Sequence, residues 1–413
     1  MNSISKTTIS EILLADILSV SKANIQKWKE KGKIEPQANG EYLLEDLKSF
    51  PQIQAILNSQ WHIEQNIEPL SKYKSIELFA GAGGLAIGLE KAGFNTIALN
   101  EIDVDACKTL KHNRPEWNVI EGDISDIDFS NYKEIDLISG GFPCQAFSYA
   151  GHKQGFEDTR GTLFFEFARA IKEIKPQVFF GENVRGLLNH DRGKTIEVIK
   201  TVVKELGYTL IEPKVLKAIF YRVPQKRERL FLVGIRNDLI QYANFTWPEP
   251  YFRVMTVADA LKKGELYATD CPQSEGISYP VRKKEILSMV PPGGCWVDLP
   301  DDIQREYMQR SYFLGGGKTG MARRLSWNAP SLTLTCSPAQ KQTERCHPDE
   351  TRPLSIREYA RIQTFPDDWE FLGSVNSQYK QIGNAVPVNL AFAVGKKVIA
   401  LLNSIKLNHK KNL

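Results

Sequence analysis

The sequence predicts an α/β fold in which helices cover both faces of a mostly parallel sheet. From Ser75 onward, short apolar runs alternate with amphipathic stretches, as where SIELFA runs into GAGGLAIGLEKAGF. From about residue 245 to 345 this rhythm is broken by glycine clusters and by prolines at 248, 250, 272, 280, 291, 292 and 300. We therefore expect a large α/β domain, a smaller irregular domain, and a separate small N-terminal domain.

The composition is that of a globular protein with several domains. The chain has 413 residues, of which 42% are hydrophobic and 25% are charged, and this length exceeds what one compact core holds. A net charge of only +4 does not by itself indicate a nucleic-acid binder, so any such surface has to come from local patches. No apolar run has membrane-spanning length, and MNSISKTTISEILL lacks the layout of an export signal. These features predict a cytoplasmic protein without a membrane partner.

Residues 1–60 have a helical pattern of their own. One helix is predicted from apolar spacing, and Ser21 is placed to cap a second that runs past Trp28 to Lys31. Asn39-Gly40 between two short extended runs predicts a hairpin. The arrangement resembles the helix-turn-helix domains of the MerR and excisionase type, and both DNA binding and simple bracing of the other domains remain open. Residues 61–74 are expected to be a linker. The apolar positions that predict the first helix are Ile9, Ile12, Leu13, Ile17 and Leu18.

A glycine turn follows the first strand of the large domain. Gly81, Gly83 and Ala86 fit the fingerprint GxGxxG/A, and Glu101 ends the next predicted strand twenty positions after Gly81. A carboxylate there can hold a ribose hydroxyl. The segment Gly122 to Ile124 adds further candidate contacts at a strand end. The pattern suits any cofactor that carries a nucleoside, including a nicotinamide dinucleotide.

The stretch GGFPCQAFS, from Gly140 to Ser148, is the segment around which the candidate active site is organised. It follows the buried run Ile135 to Ile138, so Cys144 is expected in the loop at the sheet edge that carries ligands. Pro143 fixes the backbone before the cysteine, and polar Gln145 and Ser148 come after it. A cysteine kept for packing would have apolar neighbours instead.

Together these segments carry a family resemblance. IELFAGAGG, NEID, GDI, GGFPCQAFS with RGTLFFE, ENVRG, VPQKRERLFLVGIR, RPLSIREYARIQTFPD and QIGNAVPV occur in the order seen in bacterial DNA (cytosine-5) methyltransferases of restriction-modification systems. The resemblance covers about residues 75–236 and 323–397. It implies a Rossmann-like catalytic domain that binds S-adenosylmethionine (75–244), a target-recognition domain (245–350) and a C-terminal part that completes the catalytic domain (351–413).

The residue types suit that chemistry. Carbon 5 of cytosine is a poor nucleophile, so an enzyme first adds a nucleophile to carbon 6, and a thiolate such as that of Cys144 does this well. The addition requires an acid beside the ring, and Glu182, after the apolar strand VFFG, is the candidate. Arg227 and Arg229 alternate in an extended segment and so could both face the site. By resemblance, Arg229 contacts the base carbonyl and Arg227 positions nearby backbone.

The resemblance also implies the cofactor contacts. It places Phe79, Gly81 and Gly83 around the methionine part, Glu101 on the ribose, and Ile102, Asp123 and Ile124 around the adenine. Asn384 is expected to approach from the far end of the chain. No metal is predicted: Cys336, Cys346 and His347 do not have a standard zinc-ligand spacing.

Several polar segments are candidates for contact with duplex DNA. Gln145 and Ser148 start a polar, glycine-containing stretch that is expected to close as a lid over an extruded cytosine. Arg323 and Arg324 follow the glycines at 315–320 and are predicted to approach phosphates. Thr333 and Leu334 resemble the threonine-leucine pair that the family places near the base. GGGKT is not a phosphate loop, because position 312 is Tyr.

The predicted function is methylation of carbon 5 of cytosine in a short duplex site, by a monomer that protects host DNA from a partner restriction endonuclease. Three alternatives remain open at this point. One is an RNA cytosine-5 methyltransferase, which the long insert before Arg345 disfavours. The others are a nicotinamide-dependent oxidoreductase, which leaves Cys144 and Glu182 unexplained, and a DNA-binding regulator with an inactive enzyme domain.

Overall fold

The computed structural model describes residues 7–143, 162–314 and 319–411. The chain begins with a small helical domain in which Ser10 and Ser21 cap the first two helices. Its two short strands pair with each other antiparallel, Thr8 with Leu43 and Ile9 with Tyr42. The predicted hairpin is therefore wrong: Asn39-Gly40 lies in a turn before the second strand, which pairs with the start of the chain. The elements are β1 (Thr8–Ile9), α1 (Glu11–Leu18), α2 (Lys22–Glu30), β2 (Tyr42–Leu43) and α3 (Pro51–Leu57).

The segment 61–74, which was predicted to be a linker, is ordered around Trp61. It contains a helical turn, α4 (Trp61–Glu64), and Trp61 is only 6% exposed because its ring packs against Tyr221 and Tyr251. The Glu64 carboxylate lies 2.7 Å from Nζ of Lys397. An indole buried in the catalytic core fixes this segment in place, so the N-terminal domain is not on a flexible tether.

The catalytic domain is built on one central sheet, which has eight strands among the described residues. Their order is β5-β4-β3-β6-β7-β11-β8, with β9 beside β11. The first five strands run parallel and β11 is antiparallel to its neighbours, which matches the predicted mostly parallel sheet. The strands are β3 (Lys74–Leu78), β4 (Asn95–Glu101), β5 (Val119–Glu121), β6 (Leu137–Gly140), β7 (Val178–Val184), β8 (Tyr208–Leu210), β9 (Lys214–Lys217), a short β10 (Gln225–Lys226) outside this sheet, and β11 (Glu228–Arg236).

The strand order reverses between β3 and β6. From β3 the chain proceeds through β4 and β5 to one side, and β6 and β7 then continue on the other. Loops that leave neighbouring strands at such a switch point diverge, which opens a crevice at the carboxyl ends of the strands. Phe79 and Gly141, which directly follow β3 and β6, therefore start at the same crevice.

Helices cover both faces of the sheet, and adjacent strand residues divide between the two cores. Phe180 and Phe231 belong to one core, whereas Phe179 and Leu230 belong to the other, as the alternation along a strand requires. The first core takes up side chains of α5, and the second takes up side chains of α7 and α8. The helices in this half are α5 (Gly84–Ala92), α6 (Val104–Asn113), α7 (Leu163–Ile174) and α8 (Lys194–Glu205).

A second region with little regular structure follows β11. It has a small core of its own, which includes Tyr279, Leu287, Tyr307 and Met308. A two-residue strand from this region pairs parallel with β10, so the region joins the catalytic domain beside Arg227. Its elements are α9 (Val257–Leu261), α10 (Val281–Ser288), α11 (Asp301–Met308) and β12 (Ser331–Leu332).

The C-terminal helices return to the catalytic domain. They are α12 (Ile356–Ile362), α13 (Val375–Asn384) and α14 (Val388–Lys411). The stretch 375–410 is long and apolar enough to cross a membrane by length and composition, but 83% of its apolar window is buried in the fold. It is therefore in the position of a core helix. Gly88 lets α14 approach α5 closely, because a Cβ there would lie 2.3 Å from Cβ of Ala391.

We expect Gly88→Ala to destabilise the protein by about 1–3 kcal/mol, since overpacking outweighs the better helix propensity of alanine. Thermal unfolding measures this as a lowered melting temperature. Gly186→Ala is the matched control, because a Cβ at Gly186 meets no atom within 4 Å. Equal melting temperatures for the two variants would contradict the close approach of α5 and α14.

Candidate active site

A cavity of about 890 Å³ lies at the switch point of the sheet. Its walls come from the carboxyl ends of β3, β4, β6 and β7, together with two segments far along the chain, 333–336 and 380–386. The cavity thus has the place and the size of a ligand site in an open α/β sheet. Of the predicted site residues, it is lined by Phe79, Gly81, Glu101, Ile102, Asp123, Ile124, Glu182, Arg227, Arg229, Thr333, Leu334 and Asn384.

The Glu101 carboxylate organises the glycine turn at one end of the cavity. It accepts hydrogen bonds from the backbone N–H groups of Gly81 at 2.6 Å, Ile102 at 2.9 Å and Asp103 at 2.8 Å. Gly81 has a φ of +55°, and Phe79 has a φ of +59°, a conformation that is rare for an aromatic residue. Such backbone strain concentrates where a ligand is bound. Glu101 also lines the cavity.

Two apolar side chains form the neighbouring wall. Ile102 is 66% exposed although it is a large aliphatic residue, whereas Ile124 is buried. Asp123 caps the turn beside them, because its Oδ1 accepts from N–H and Oγ of Ser125 at 2.9 and 2.8 Å. These hydrogen bonds lower the pKa of the Asp123 carboxyl. This wall therefore combines two isoleucine side chains with a carboxylate whose position is fixed.

Gly83 does not line the cavity, although the resemblance implied a cofactor contact. It is the N-cap of α5 with a φ of +86°, and a Cβ there would lie 2.8 Å from Leu110 and 3.1 Å from Trp369. The backbone conformation and the close packing at this position therefore explain why it is a glycine.

At the other end of the cavity, Glu182 and Arg229 form an ion pair. Nε of Arg229 lies 2.7 Å from Oε1 of Glu182, and the carboxyl group is buried at the end of β7. Burial raises the pKa of the Glu182 carboxyl, while the positive charges of Arg229 and Arg227 lower it by less. A Cβ at Gly141 would lie 3.1 Å from Oε2 of Glu182, so the glycine pair after β6 leaves room for this acid.

Arg227 lies beside this pair but has a different environment. Its side chain is buried, and the guanidinium donates to the carbonyl oxygens of Leu334 at 3.3 Å, Gly383 at 3.1 Å and Asn384 at 3.3 Å. Burial lowers the pKa of the Arg227 guanidinium. The two arginines therefore do not act alike: Arg227 joins two distant backbone segments through three carbonyl groups, and Arg229 faces the acid.

Cys144, Gln145 and Ser148 lie outside the described residues, as does the polar stretch predicted to be a lid. The chain is described as far as Pro143, which lines the cavity, and Nδ2 of Asn183 donates to the Phe142 carbonyl at 2.8 Å. The residue that follows Pro143 in the chain is Cys144.

Of the predicted DNA contacts, Thr333 and Leu334 line the cavity, whereas Arg323 and Arg324 do not. Oγ1 of Thr333 donates to the Lys226 carbonyl at 2.6 Å at the cavity wall, and Leu334 is buried next to it. Arg323 bonds the carbonyl oxygens of Thr319 and Gly293. The expectation for Arg324 is corrected, because its side chain is 4% exposed. Its guanidinium donates to Leu287 and Val290 carbonyls, each at 2.8 Å, so it holds the second region together.

Among the residues of the cavity wall that sequence reasoning did not assign to the site are Glu77, Cys336 and Lys380. Glu77 is 3% exposed, and its Oε2 has no hydrogen-bond partner among the described residues. Burial raises the pKa of the Glu77 carboxyl well above its usual value, and the negative charge of Glu101 adds to the rise. The sequence signal that could have indicated Glu77 is a charged residue between the apolar residues Ile76 and Leu78 of β3. Cys336 is the exposed member of the free cysteines in the described ranges, and its Sγ donates to Oδ1 of Asn384.

A family model of C-5 cytosine-specific DNA methylases matches residues 73–400. The Type II methyltransferase M.Eco47II of Escherichia coli is 64% identical over 96% of each chain, and M.Sau96I of Staphylococcus aureus is 47% identical over 97% of this chain and 93% of its own. A DNA modification methyltransferase encoded within an E. coli prophage, whose crystal structure is known, has a TM-score of 0.63 over 80% of this chain and 99% of its own, at 24% identity. These findings confirm the predicted resemblance and the fold class of the catalytic domain.

The unpaired acid in the cavity has a consequence for stability. Because the pKa of Glu77 is raised in the folded protein, its contribution favours folding at low pH and is lost as pH rises above the ordinary glutamate range. We expect Glu77→Gln to unfold at a higher temperature than the unchanged protein at pH 8, with a smaller difference at pH 5. Thermal unfolding at the two pH values measures this. Glu35→Gln, at an exposed position, is the control; an equal or reversed pH trend at Glu77 would contradict the assignment.

Proposed function

The chain belongs to the C-5 cytosine-specific DNA methylases and is a DNA (cytosine-5) methyltransferase of a restriction-modification system, and from this premise we propose how its residues carry out the transfer. Cys144 adds to carbon 6 of an extruded cytosine, Glu182 protonates ring nitrogen 3, and Arg229 binds the base carbonyl. The observation that carries the proposal is the buried pair of Glu182 and Arg229, which shares one cavity with the Glu101 turn.

The residues at the β3 and β4 end of the cavity fit S-adenosylmethionine, the cofactor that the family implies. When bound, this cofactor supplies a methyl group activated by a sulfonium centre. Glu101 is placed to accept from the ribose hydroxyls, and the exposed face of Ile102, with Ile124, suits the adenine. Asp123 closes this wall at its polar edge. No group among the described residues bonds Oε2 of the buried Glu77 carboxyl, and this suits a cationic methionine part better than a neutral ligand, since a buried acid is costly without a partner.

Protonation by Glu182 depends on the balance of burial and charge around it. The positive charge of Arg229 partly offsets the effect of burial on the pKa of this carboxyl. A cytosine carbonyl beside Arg229 takes up some of its donor capacity and excludes water, and both effects favour the protonated acid. The carboxyl is therefore most fully protonated, and so able to donate to nitrogen 3, once the base is in place. This proton relieves the charge that thiolate addition creates in the ring.

Arg227 acts through the backbone. By holding the carbonyl oxygens of Leu334, Gly383 and Asn384, it fixes the segment that carries Thr333 against the end of α13. Asn384 then forms part of the cavity wall on the cofactor side. We assign Gln145, Ser148 and Thr333 to contacts with the extruded base and its strand. In the cell, the reaction would protect host DNA from a partner endonuclease, and the protein would work as a cytoplasmic monomer.

The identity of the nucleophile can be tested against a second thiol in the same cavity. Cys144→Ser is expected to lower kcat by about 10³-fold or more, because an alcohol is a far weaker nucleophile here than a thiolate. It should also abolish covalent trapping on a duplex that carries 5-fluorocytosine at the modified position. Cys336→Ser, which removes the exposed cavity thiol, should leave both intact. Trapping that survives in the first variant and fails in the second would contradict the role of Cys144.

The role of Glu182 predicts a pH dependence. Glu182→Gln should lower kcat by about 10²–10⁴-fold, the usual contribution of a general acid, with little change in KM for DNA. In the unchanged enzyme the rate should fall as pH rises through the pKa of Glu182, which burial places above the usual glutamate range. The residual activity of the variant should lack this fall. Glu134→Gln, at a side chain that is 87% exposed, is the control. A full rate in Glu182→Gln would exclude the carboxyl as the proton donor.

A further inference from the structure

The helix-turn-helix of the N-terminal domain lies at the rim of the catalytic cavity. A second cavity of about 470 Å³ separates the turn from the catalytic domain. Ala15, Asp16, Ser19 and Val20 line one side of it. The opposite side includes Arg227, Arg229 and Thr333, which also line the catalytic cavity, so the two cavities adjoin.

The domain is held in this position by polar and apolar contacts. Oδ1 of Asp16 lies 2.5 Å from Nζ of Lys226, and the Asp16 side chain is 12% exposed. Ser19 accepts from Nζ of Lys217. The apolar core of the domain also includes Ile219 and Val254 of the rest of the chain. The position of α1 and α2 relative to the cavity is therefore a property of the fold.

The second helix and the turn after it carry a concentrated positive charge. Residues 22–33 contain five lysines and one acid, Glu30, an excess of four that equals the net charge of the whole chain. All five lysine side chains are exposed, and none of them forms an ion pair with the part of the chain that the structure describes. Lys33 lies over the Trp28 ring at 4.5 Å. The lysines are at positions 22, 27, 29, 31 and 33.

We propose that α2 binds the phosphates of the same duplex whose cytosine enters the catalytic cavity. This rests on the proposed function, which puts a duplex at the mouth of that cavity. The N-terminal end of α2, at Lys22, is two residues from Val20 on the cavity wall. In helix-turn-helix proteins the second helix is the one that faces DNA with its N-terminal end, where the helix dipole also favours phosphate. The N-terminal domain thus extends the DNA-binding cleft beside the base-binding residues.

Charge-neutral variants of α2 test the proposal. Lys22→Gln/Lys29→Gln changes two lysines seven positions apart, on one face of the helix. If both contact phosphate, the slope of log affinity against log salt should become shallower by about 1.8, since each contact contributes about 0.9. KM for duplex DNA should rise about tenfold at moderate salt, and kcat and S-adenosylmethionine binding should stay unchanged. Lys204→Gln/Lys410→Gln is the control of equal charge, at exposed positions that line neither cavity.

A KM and a salt slope equal to those of the unchanged enzyme would overturn the proposal, and so would equal effects in both double variants. Hydroxyl-radical footprinting of the complex trapped on 5-fluorocytosine shows whether α2 binds the duplex that carries the target cytosine or a second DNA molecule. The proposal requires protected phosphates beside the target site that the Lys22/Lys29 variant no longer protects. Loss of binding only to a separate DNA molecule would overturn it. If no trapped complex forms with the unchanged enzyme, the proposed function fails instead.

Discussion

The buried guanidinium of Arg227 is the contact on which the active site depends. Three carbonyl groups accept from it, and they belong to the strand segment after β12 and to the end of α13. A buried arginine is costly unless its donors are paired, so these segments have to assemble around it together. The cavity wall is therefore formed by parts of the chain more than a hundred residues apart, and it can exist only when the whole catalytic domain is folded.

Around this contact, the cavity contains acids whose burial is costly. Oε2 of Glu77 has no hydrogen-bond partner in the part of the chain that the structure describes, and Glu182 has a raised pKa in spite of two nearby arginines. Phe79 and Gly81 add backbone in the left-handed region at the same place. A fold tolerates such features where the surrounding structure determines them, and they concentrate where binding energy offsets them.

The parts of this arrangement that follow local rules could be predicted from the sequence. The glycine turn after β3, the acid at the end of β4 and the carboxyl at the end of β7 lie at strand ends, where periodicity and turn chemistry are informative. The order of the motifs also predicted the family. Arg324 was misassigned because its role is decided by carbonyl groups more than twenty residues away in the chain. The short strand β2 was paired wrongly for the same reason, since nothing near Asn39-Gly40 indicates a partner at Thr8.

The return of the C-terminal helices has a consequence for biosynthesis. Lys380, Asn384 and the helix that packs against Gly88 are made after the strands β3 to β7, which leave the ribosome about two hundred residues earlier. Until α13 and α14 have emerged, one face of the sheet lacks its cover and the cavity lacks one wall. A nascent or prematurely terminated chain therefore carries the thiol and the acid without a competent enzyme, and host DNA stays unmodified until translation has passed these last helices.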